Sequence, residues 1–129
     1  MRYKQRGHKY KARKVWACGN CQVPHPKDGS CRRCGCTLIK FDSKAEYEHW
    51  VELLLLERAG RISGLTLQPA FPIQINGEKV GTYYGDFQYR DSEGQIRVED
   101  VKGKDTALSR FKRRCVKAQY GVQVEIIQA

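Results

Sequence analysis

The sequence has no apolar run that approaches the roughly 18 residues needed to cross a bilayer. Its basic start, MRYKQRGHKYKARK, lacks the apolar segment that follows the charged start of a signal peptide. Internal repeats and low-complexity tracts are also missing. These absences predict an intracellular protein without a membrane partner. Its 129 residues suffice for one modest core with a small appendage.

Acidic residues are nearly absent from the first 41 positions. These positions hold 11 Lys or Arg and one acid, Asp28, whereas basic and acidic residues balance over positions 42–129. Tyr3, Tyr10 and Trp16 lie among the cations. Because cations neutralise phosphates and aromatic rings stack on bases, residues 1–17 are predicted to be a basic arm for nucleic acid. A solvated tail, or an arm for anionic lipid, would carry the same charge.

Four of the six cysteines form two close pairs, Cys18 with Cys21 and Cys31 with Cys34. Two C-x-x-C pairs separated by nine residues suit tetrahedral zinc, which prefers soft, deprotonated sulfur. A zinc bound by four protein ligands has no open position, so it stabilises structure and performs no chemistry. Residues 18–40 are therefore predicted to form a zinc knuckle.

Two points about this knuckle stay open: whether the cysteines bind zinc or form disulfides, and which residue is the fourth ligand. Arg32 and Arg33 favour zinc, because nearby cations stabilise ionised thiolates. Two disulfides are the alternative, but that arrangement is typical of secreted domains and no export signal is present. Cys36 or His25 could replace one of the four zinc ligands.

Periodicity predicts an α+β or α/β core over residues 41–129, ordered helix, three-stranded meander, helix, strand. The first helix should begin at Ser43, whose capping box is completed by Glu46, and end near Gly60. Turns at Asn76-Gly77 and at positions 91–94 separate the strands. The predicted strands are 65–75, 78–89 and 95–102, with a last strand over 122–127.

The second helix should follow Gly103, with Asp105 or Thr106 as its N-terminal cap. Its apolar residues recur at spacings of three and four, which predicts that they face the core: Leu108, Phe111, Cys115 and Ala118. The rest of this helix is strongly basic.

Two acids and a lysine are predicted to meet on neighbouring strands. Pairing of strands 78–89 and 95–102 can bring Asp86 close to Asp100. Strand periodicity places Asp100 and Lys102 on one face and Glu99 on the other. A hard cation such as Mg²⁺ offsets the cost of burying two carboxylates, and a lysine can orient a metal-polarised water. An ordinary hairpin with surface charges is the alternative.

The segments FDSKAE, LQPAF, YYGDF and VEDVKG, in this order, resemble small phage-type nucleases of the PD-(D/E)XK superfamily. The resemblance covers about residues 40–127 and implies a restriction-endonuclease-like core. It implies that Glu46, Asp86, Asp100 and Val101 bind catalytic Mg²⁺ or Mn²⁺ and that Lys102 positions the attacking water. Gln68 enters only through this resemblance. The zinc knuckle departs from the family pattern, because relatives join the basic start almost directly to FDSK.

Glu46 has a second explanation, because a capping box with Ser43 accounts for it without catalysis. Its helical alignment with Trp50 and Leu53 indicates a core-facing side chain, which favours a site role.

The sequence thus favours a metal-dependent DNA endonuclease, acting on branched or recombination-intermediate DNA as similar phage enzymes do. A homodimer would follow if the substrate were a four-way junction, since two symmetric cuts are needed. Cleavage of RNA and a non-catalytic zinc-ribbon nucleic-acid binder are the alternatives. Seven cations are expected to contact nucleic acid: Arg13, Lys14, Arg32, Arg33, Arg110, Arg113 and Arg114.

Overall fold

The computed structural model describes residues 13–25 and 27–129. Positions 1–12 of the predicted arm therefore lie outside the described residues. The described chain is an α+β protein with two helices and three sheets. The described residues divide into two compact units, a first that ends at Val51 and a second that runs from Glu52 to Ala129. Neither described helix has the length and apolar character needed to span a membrane.

The first unit contains a three-stranded antiparallel sheet. Strand β1 (Val15–Cys18) lies between β2 (Pro24–His25) and β3 (Leu38–Phe41). Residues 15–17 of the predicted arm thus belong to a paired strand. The register joins Val15 to Phe41 and Cys18 to Leu38.

Helix α1 (Lys44–Arg58) begins at the predicted cap. The backbone N–H of Glu46 donates to Ser43 Oγ over 3.0 Å. Within the first unit the rings of Phe41 and Trp50 pack with centroids 4.9 Å apart, and both residues are buried. The Tyr47 hydroxyl donates to the backbone oxygen of Gln22 over 2.7 Å. These contacts attach the start of α1 to β3 and to the turn that follows β1.

The main sheet of the second unit has four strands. They are β4 (Ser63–Leu67), β7 (Phe87–Arg90), β8 (Ile96–Lys102) and β9 (Val124–Gln128), in that spatial order. The pairs β4–β7 and β7–β8 are antiparallel, and β8–β9 is parallel. Helix α2 (Ala107–Tyr120) is the crossover that a parallel pair requires.

The predicted single strands over 65–75 and 78–89 are wrong, because each breaks in its middle. A separate hairpin of β5 (Ala70–Ile75) and β6 (Glu78–Tyr84) is inserted between β4 and β7. The breaks are adjacent: the N–H of Gln68 donates to Asp86 O over 2.9 Å, and that of Gly85 to Pro69 O over 3.0 Å.

Local geometry explains why the strands break at this place. Gln68 has a φ of 51°, which interrupts the extended chain. A Cβ on Gly85 would lie 3.0 Å from Val98 Cγ1 and 3.2 Å from Pro69 Cγ. A larger residue at this position would therefore require Val98 or Pro69 to move. The predicted turn at Asn76-Gly77 is confirmed, with φ values of 51° and 80°.

The predicted core face of α2 is wrong for Leu108, Phe111 and Ala118, which are exposed, whereas Cys115 packs against the core. Leu108 and Phe111 are 64% and 60% exposed, whereas Val116 is fully buried. Polar anchors fix this orientation, since Lys112 Nζ donates to Thr82 O and the Tyr120 hydroxyl to Pro72 O. Val116 instead joins a core with five residues from the sheets: Phe71, Ile73, Tyr83, Val98 and Val124.

Candidate metal centres

The first candidate site is the cysteine cluster, defined as Cys18, Cys21, Cys31 and Cys34. Their sulfur atoms all lie within 4.8 Å of one another. Two tight turns present them: the N–H of Gln22 donates to Cys18 O, and that of Gly35 to Cys31 O. The predicted four residues are therefore brought together by short local loops.

The donor set of the cluster fits zinc. A tetrahedral site with Zn–S bonds of about 2.3 Å separates its sulfurs by roughly 3.8 Å, and Cys18 Sγ lies 3.3 Å from Cys34 Sγ. All six cysteines are free thiols rather than disulfides. The cluster is compatible with a structural zinc site.

The pKa values of the cluster thiols indicate how costly it is to ionise them without a cation. Burial and neighbouring thiols raise the pKa of Cys21 to about 12. Backbone N–H groups of Cys34 and Arg33 lower the pKa of Cys31. Four crowded thiolates repel one another, so a divalent cation is the natural partner for the ionised set.

The two alternative zinc ligands lie outside the four-sulfur group. Cys36 Sγ accepts a hydrogen bond from Asn20 Nδ2 over 3.1 Å. His25 interacts with Cys31 and contributes to its lowered pKa. The Nε2 atom of His25 is buried and has no hydrogen-bond partner among the described residues.

The second candidate site is the carboxylate site, defined as Asp86, Asp100 and Lys102. Asp86 follows the break between β6 and β7, and its backbone N–H donates to Glu99 O over 2.9 Å. Its Oδ2 accepts the N–H of Val101 over 2.7 Å. The structure therefore places this carboxylate directly beside the end of β8.

Asp100 is the most enclosed member of the carboxylate site, at 5% exposure. Lys102 Nζ lies 3.2 Å from Asp100 Oδ2, so the two side chains share one face of β8 as periodicity predicts. The carboxylates of Asp86 and Asp100 offer oxygen donors of the kind that a hard cation such as Mg²⁺ prefers.

Tyr83 is a site residue that the sequence analysis missed. Its hydroxyl donates to Asp100 Oδ2 from strand β6, although the ring belongs to the core. The one available signal is general: a buried tyrosine needs a partner for its hydroxyl.

Glu99 occupies the opposite face of β8 and is also 5% exposed. The Tyr89 hydroxyl donates to its Oε2 over 2.8 Å. Burial first, and this hydrogen bond second, raise the pKa of Tyr89 well above its usual value. Nearby, Arg97 binds both Asp91 and Glu125. Glu99 is thus held away from the face that carries Asp100.

Glu46 lies in the first unit and is 6% exposed. Its Oε2 accepts the N–H of Asp42, one residue before the Ser43 cap, over 3.3 Å, while Ser43 Oγ accepts the N–H of Glu46. The capping role is therefore observed.

The predicted nucleic-acid contacts differ in their surroundings. Six of the seven side chains are exposed: Arg13, Lys14, Arg32, Arg33, Arg110 and Arg114. Arg113 is the exception, because its side chain is 13% exposed and forms a two-nitrogen ion pair with Asp105. Its guanidinium is engaged within the protein.

The fold and the two clusters define an α+β chain with a four-cysteine module and a carboxylate pair on a mixed sheet. The chain belongs to the DUF1064 family, described as a protein of unknown function, whose model matches residues 30–128. No curated protein and no solved structure matches it at a significant level.

Proposed function

We propose that this chain is a Mg²⁺- or Mn²⁺-dependent endonuclease that hydrolyses phosphodiester bonds in DNA. The observation that carries the proposal is the position of Asp86 beside the β8 segment that holds Asp100 and Lys102. Asp86 Oδ2 lies 2.7 Å from the backbone nitrogen of Val101, between the two β8 residues that hold a carboxylate and an ammonium group.

The topology supports the same proposal. The second unit supplies strands that pair antiparallel, antiparallel and then parallel, with α2 before the last strand. With α1 preceding them, the order is the one implied by resemblance to PD-(D/E)XK nucleases. The inserted hairpin leaves this order unchanged.

Each residue of the carboxylate site has a distinct role in this proposal. Asp86 and Asp100 would bind the cation together with the backbone of Val101. The cation, when bound, would polarise water and the phosphodiester. Lys102 would orient the attacking water from its place beside Asp100. A pure nucleic-acid binder has no use for two acids facing a phosphate, because they repel it.

The cysteine cluster supports a separate DNA-gripping role for the first unit. Arg13, Lys14, Arg32 and Arg33 are exposed on or next to its strands and turns. These cations also suit the second candidate function, a non-catalytic zinc-ribbon nucleic-acid-binding protein. The two functions differ in what the carboxylate site contributes.

Cleavage assays on purified variants test the proposal. Labelled duplexes, flaps, four-way junctions, single strands and an RNA duplex are incubated with Mg²⁺ and with a chelator. Asp86→Ala and Asp100→Asn should lose Mg²⁺-dependent cutting but keep DNA binding. Glu93→Gln, which alters an exposed acid in the 91–94 turn, is the matched control. Absence of cutting by the parent on every substrate would favour the binder.

A further inference from the structure

The Asp100 carboxylate is held by a residue from a different sheet. Tyr83 lies in β6 of the inserted hairpin, and its ring is 4% exposed within the core. Its hydroxyl donates to Asp100 Oδ2, the same oxygen that lies 3.2 Å from Lys102 Nζ. One carboxylate oxygen therefore receives two donors.

The Tyr83 hydroxyl is the donor in this hydrogen bond, because an ionised carboxylate only accepts hydrogen bonds. A carboxylate oxygen has about two lone-pair positions. Oδ2 faces both the Tyr83 hydroxyl and the Lys102 ammonium group, which makes Oδ1 the better candidate oxygen for a cation.

Helix α2 in turn holds Tyr83. Arg113 is fixed by its ion pair with Asp105 and by a 2.7 Å hydrogen bond from NH1 to Ser109 Oγ. Its positive charge acts electrostatically on the Tyr83 hydroxyl. The start of α2 is thus linked to Tyr83 by the charge of Arg113, and Tyr83 is linked to Asp100 by a hydrogen bond.

We propose that Tyr83 is a positioning residue that orients Asp100 for a divalent cation, with Arg113 holding Tyr83 in place. This inference rests on the proposed function. It assigns the β5–β6 hairpin a role in the site, since Tyr83 reaches Asp100 from that hairpin. It also explains why Arg113, unlike Arg110 and Arg114, faces inward.

The molecule offers a matched control on the other face of β8. Tyr89 donates to Glu99 as Tyr83 donates to Asp100, and both acids are 5% exposed. Tyr83→Phe and Tyr89→Phe each delete one hydroxyl and keep the ring. Only the first is expected to alter the carboxylate site.

The test is Mn²⁺ binding to the full-length, zinc-loaded protein, measured from the paramagnetic resonance signal of free Mn²⁺. Removing a partner behind a metal ligand typically weakens affinity by about 10–100-fold. We expect that weakening for Tyr83→Phe and a change below about twofold for Tyr89→Phe. In Tyr83→Phe, cleavage should recover when Mn²⁺ is raised to saturation.

Asp100→Asn separates failure of this inference from failure of the proposed function. If Asp100→Asn loses Mn²⁺ while Tyr83→Phe binds it like the parent, Tyr83 has no positioning role and the nuclease proposal stands. Equal weakening in both tyrosine variants would also overturn the inference. Unchanged binding in Asp100→Asn would overturn both proposals.

Arg113→Lys provides a second route to the same answer if Tyr83→Phe does not fold. Lysine keeps the charge but cannot form the two-nitrogen ion pair with Asp105. We expect weaker Mn²⁺ binding, by a smaller factor than in Tyr83→Phe. Parent-like affinity in a folded Arg113→Lys protein would contradict the role of Arg113.

Discussion

The cysteine cluster and the carboxylate site gather their candidate metal ligands in opposite ways. The cluster spans Cys18 to Cys34 and is built by two tight turns. The carboxylate site depends on the pairing of β7 with β8 and on a tyrosine from another sheet. The candidate sulfur ligands lie close in sequence, whereas the proposed oxygen ligands come from different strands and are brought to one region only when the second unit folds.

Disruption of the two sites should therefore have different consequences. Loss of zinc should disturb the first unit, whose buried residues include Cys18 and Cys31 themselves. Loss of a carboxylate should remove chemistry and leave the fold of the second unit, which has its own core around Val98 and Val116.

A large loss of cleavage is expected for Lys102→Ala, which separates metal binding from chemistry within the carboxylate site. The variant keeps both acids, so we expect Mn²⁺ binding to persist. Cleavage should fall by about 100-fold or more, the usual contribution of a group that assists proton transfer or orients water. Single-turnover cleavage with saturating Mn²⁺ measures this. Parent-like rates would contradict the role of Lys102.

Cys18→Ser combined with Cys21→Ser removes two of the four sulfurs of the cysteine cluster. Metal analysis should show loss of zinc, and hydrogen exchange should show opening of the first unit. Exchange protection around Val98 and Val116 should persist. Collapse of protection in both units would contradict their independence.

The expected effect on DNA binding is smaller. Arg32→Ala with Arg33→Ala should reduce the slope of log binding constant against log salt by about 0.9 for each phosphate of duplex DNA that the protein no longer neutralises. Arg110→Ala with Arg114→Ala tests the second unit in the same way. An unchanged slope in the first variant would contradict a DNA grip by the zinc knuckle.

Glu46→Gln separates capping from catalysis. Glutamine keeps most of the observed cap, so stability should change by less than about 1 kcal/mol. Thermal unfolding measures that change, and a parallel cleavage assay measures activity. The site role implied by the resemblance predicts that cleavage is abolished, whereas parent-like cleavage would leave Glu46 as a cap alone.

The smallest effect concerns Asp91, which lies outside both sites. The Arg97 guanidinium, and then the N–H of Gln95, lower the pKa of Asp91 below its usual 3.8. A lowered folded-state pKa adds stability that is present above 3.8 and is lost as pH falls through the folded value. The unfolding free energies of the parent and Asp91→Asn should therefore converge in acid. A difference independent of pH would contradict this.

Local signals in the sequence were sufficient for several features. The cysteine spacing predicts the four-sulfur group, Ser43 and Gly60 bracket α1, and Asn76-Gly77 forms its turn. Each of these features depends on residues only a few positions apart or on one repeated short motif. The alternation of β8 also places Asp100 beside Lys102.

Features that depend on distant partners could not be predicted in the same way. The breaks at Gln68 and Gly85 arise where Gly85 packs against Val98 and Pro69. The orientation of α2 is fixed by polar contacts of Lys112 and Tyr120 with the hairpin, which periodicity does not reveal. The link from Tyr83 to Asp100 crosses between two sheets for the same reason.

The most direct test of the two-site account is a crystal of the zinc-loaded protein soaked in Mn²⁺, with anomalous scattering recorded at the zinc and manganese edges. The account predicts a zinc peak among the four cysteine sulfurs and a manganese peak bound by Asp86 and Asp100. A manganese peak confined to other acids, or none at this pair under saturating Mn²⁺, would contradict the carboxylate site as a metal centre.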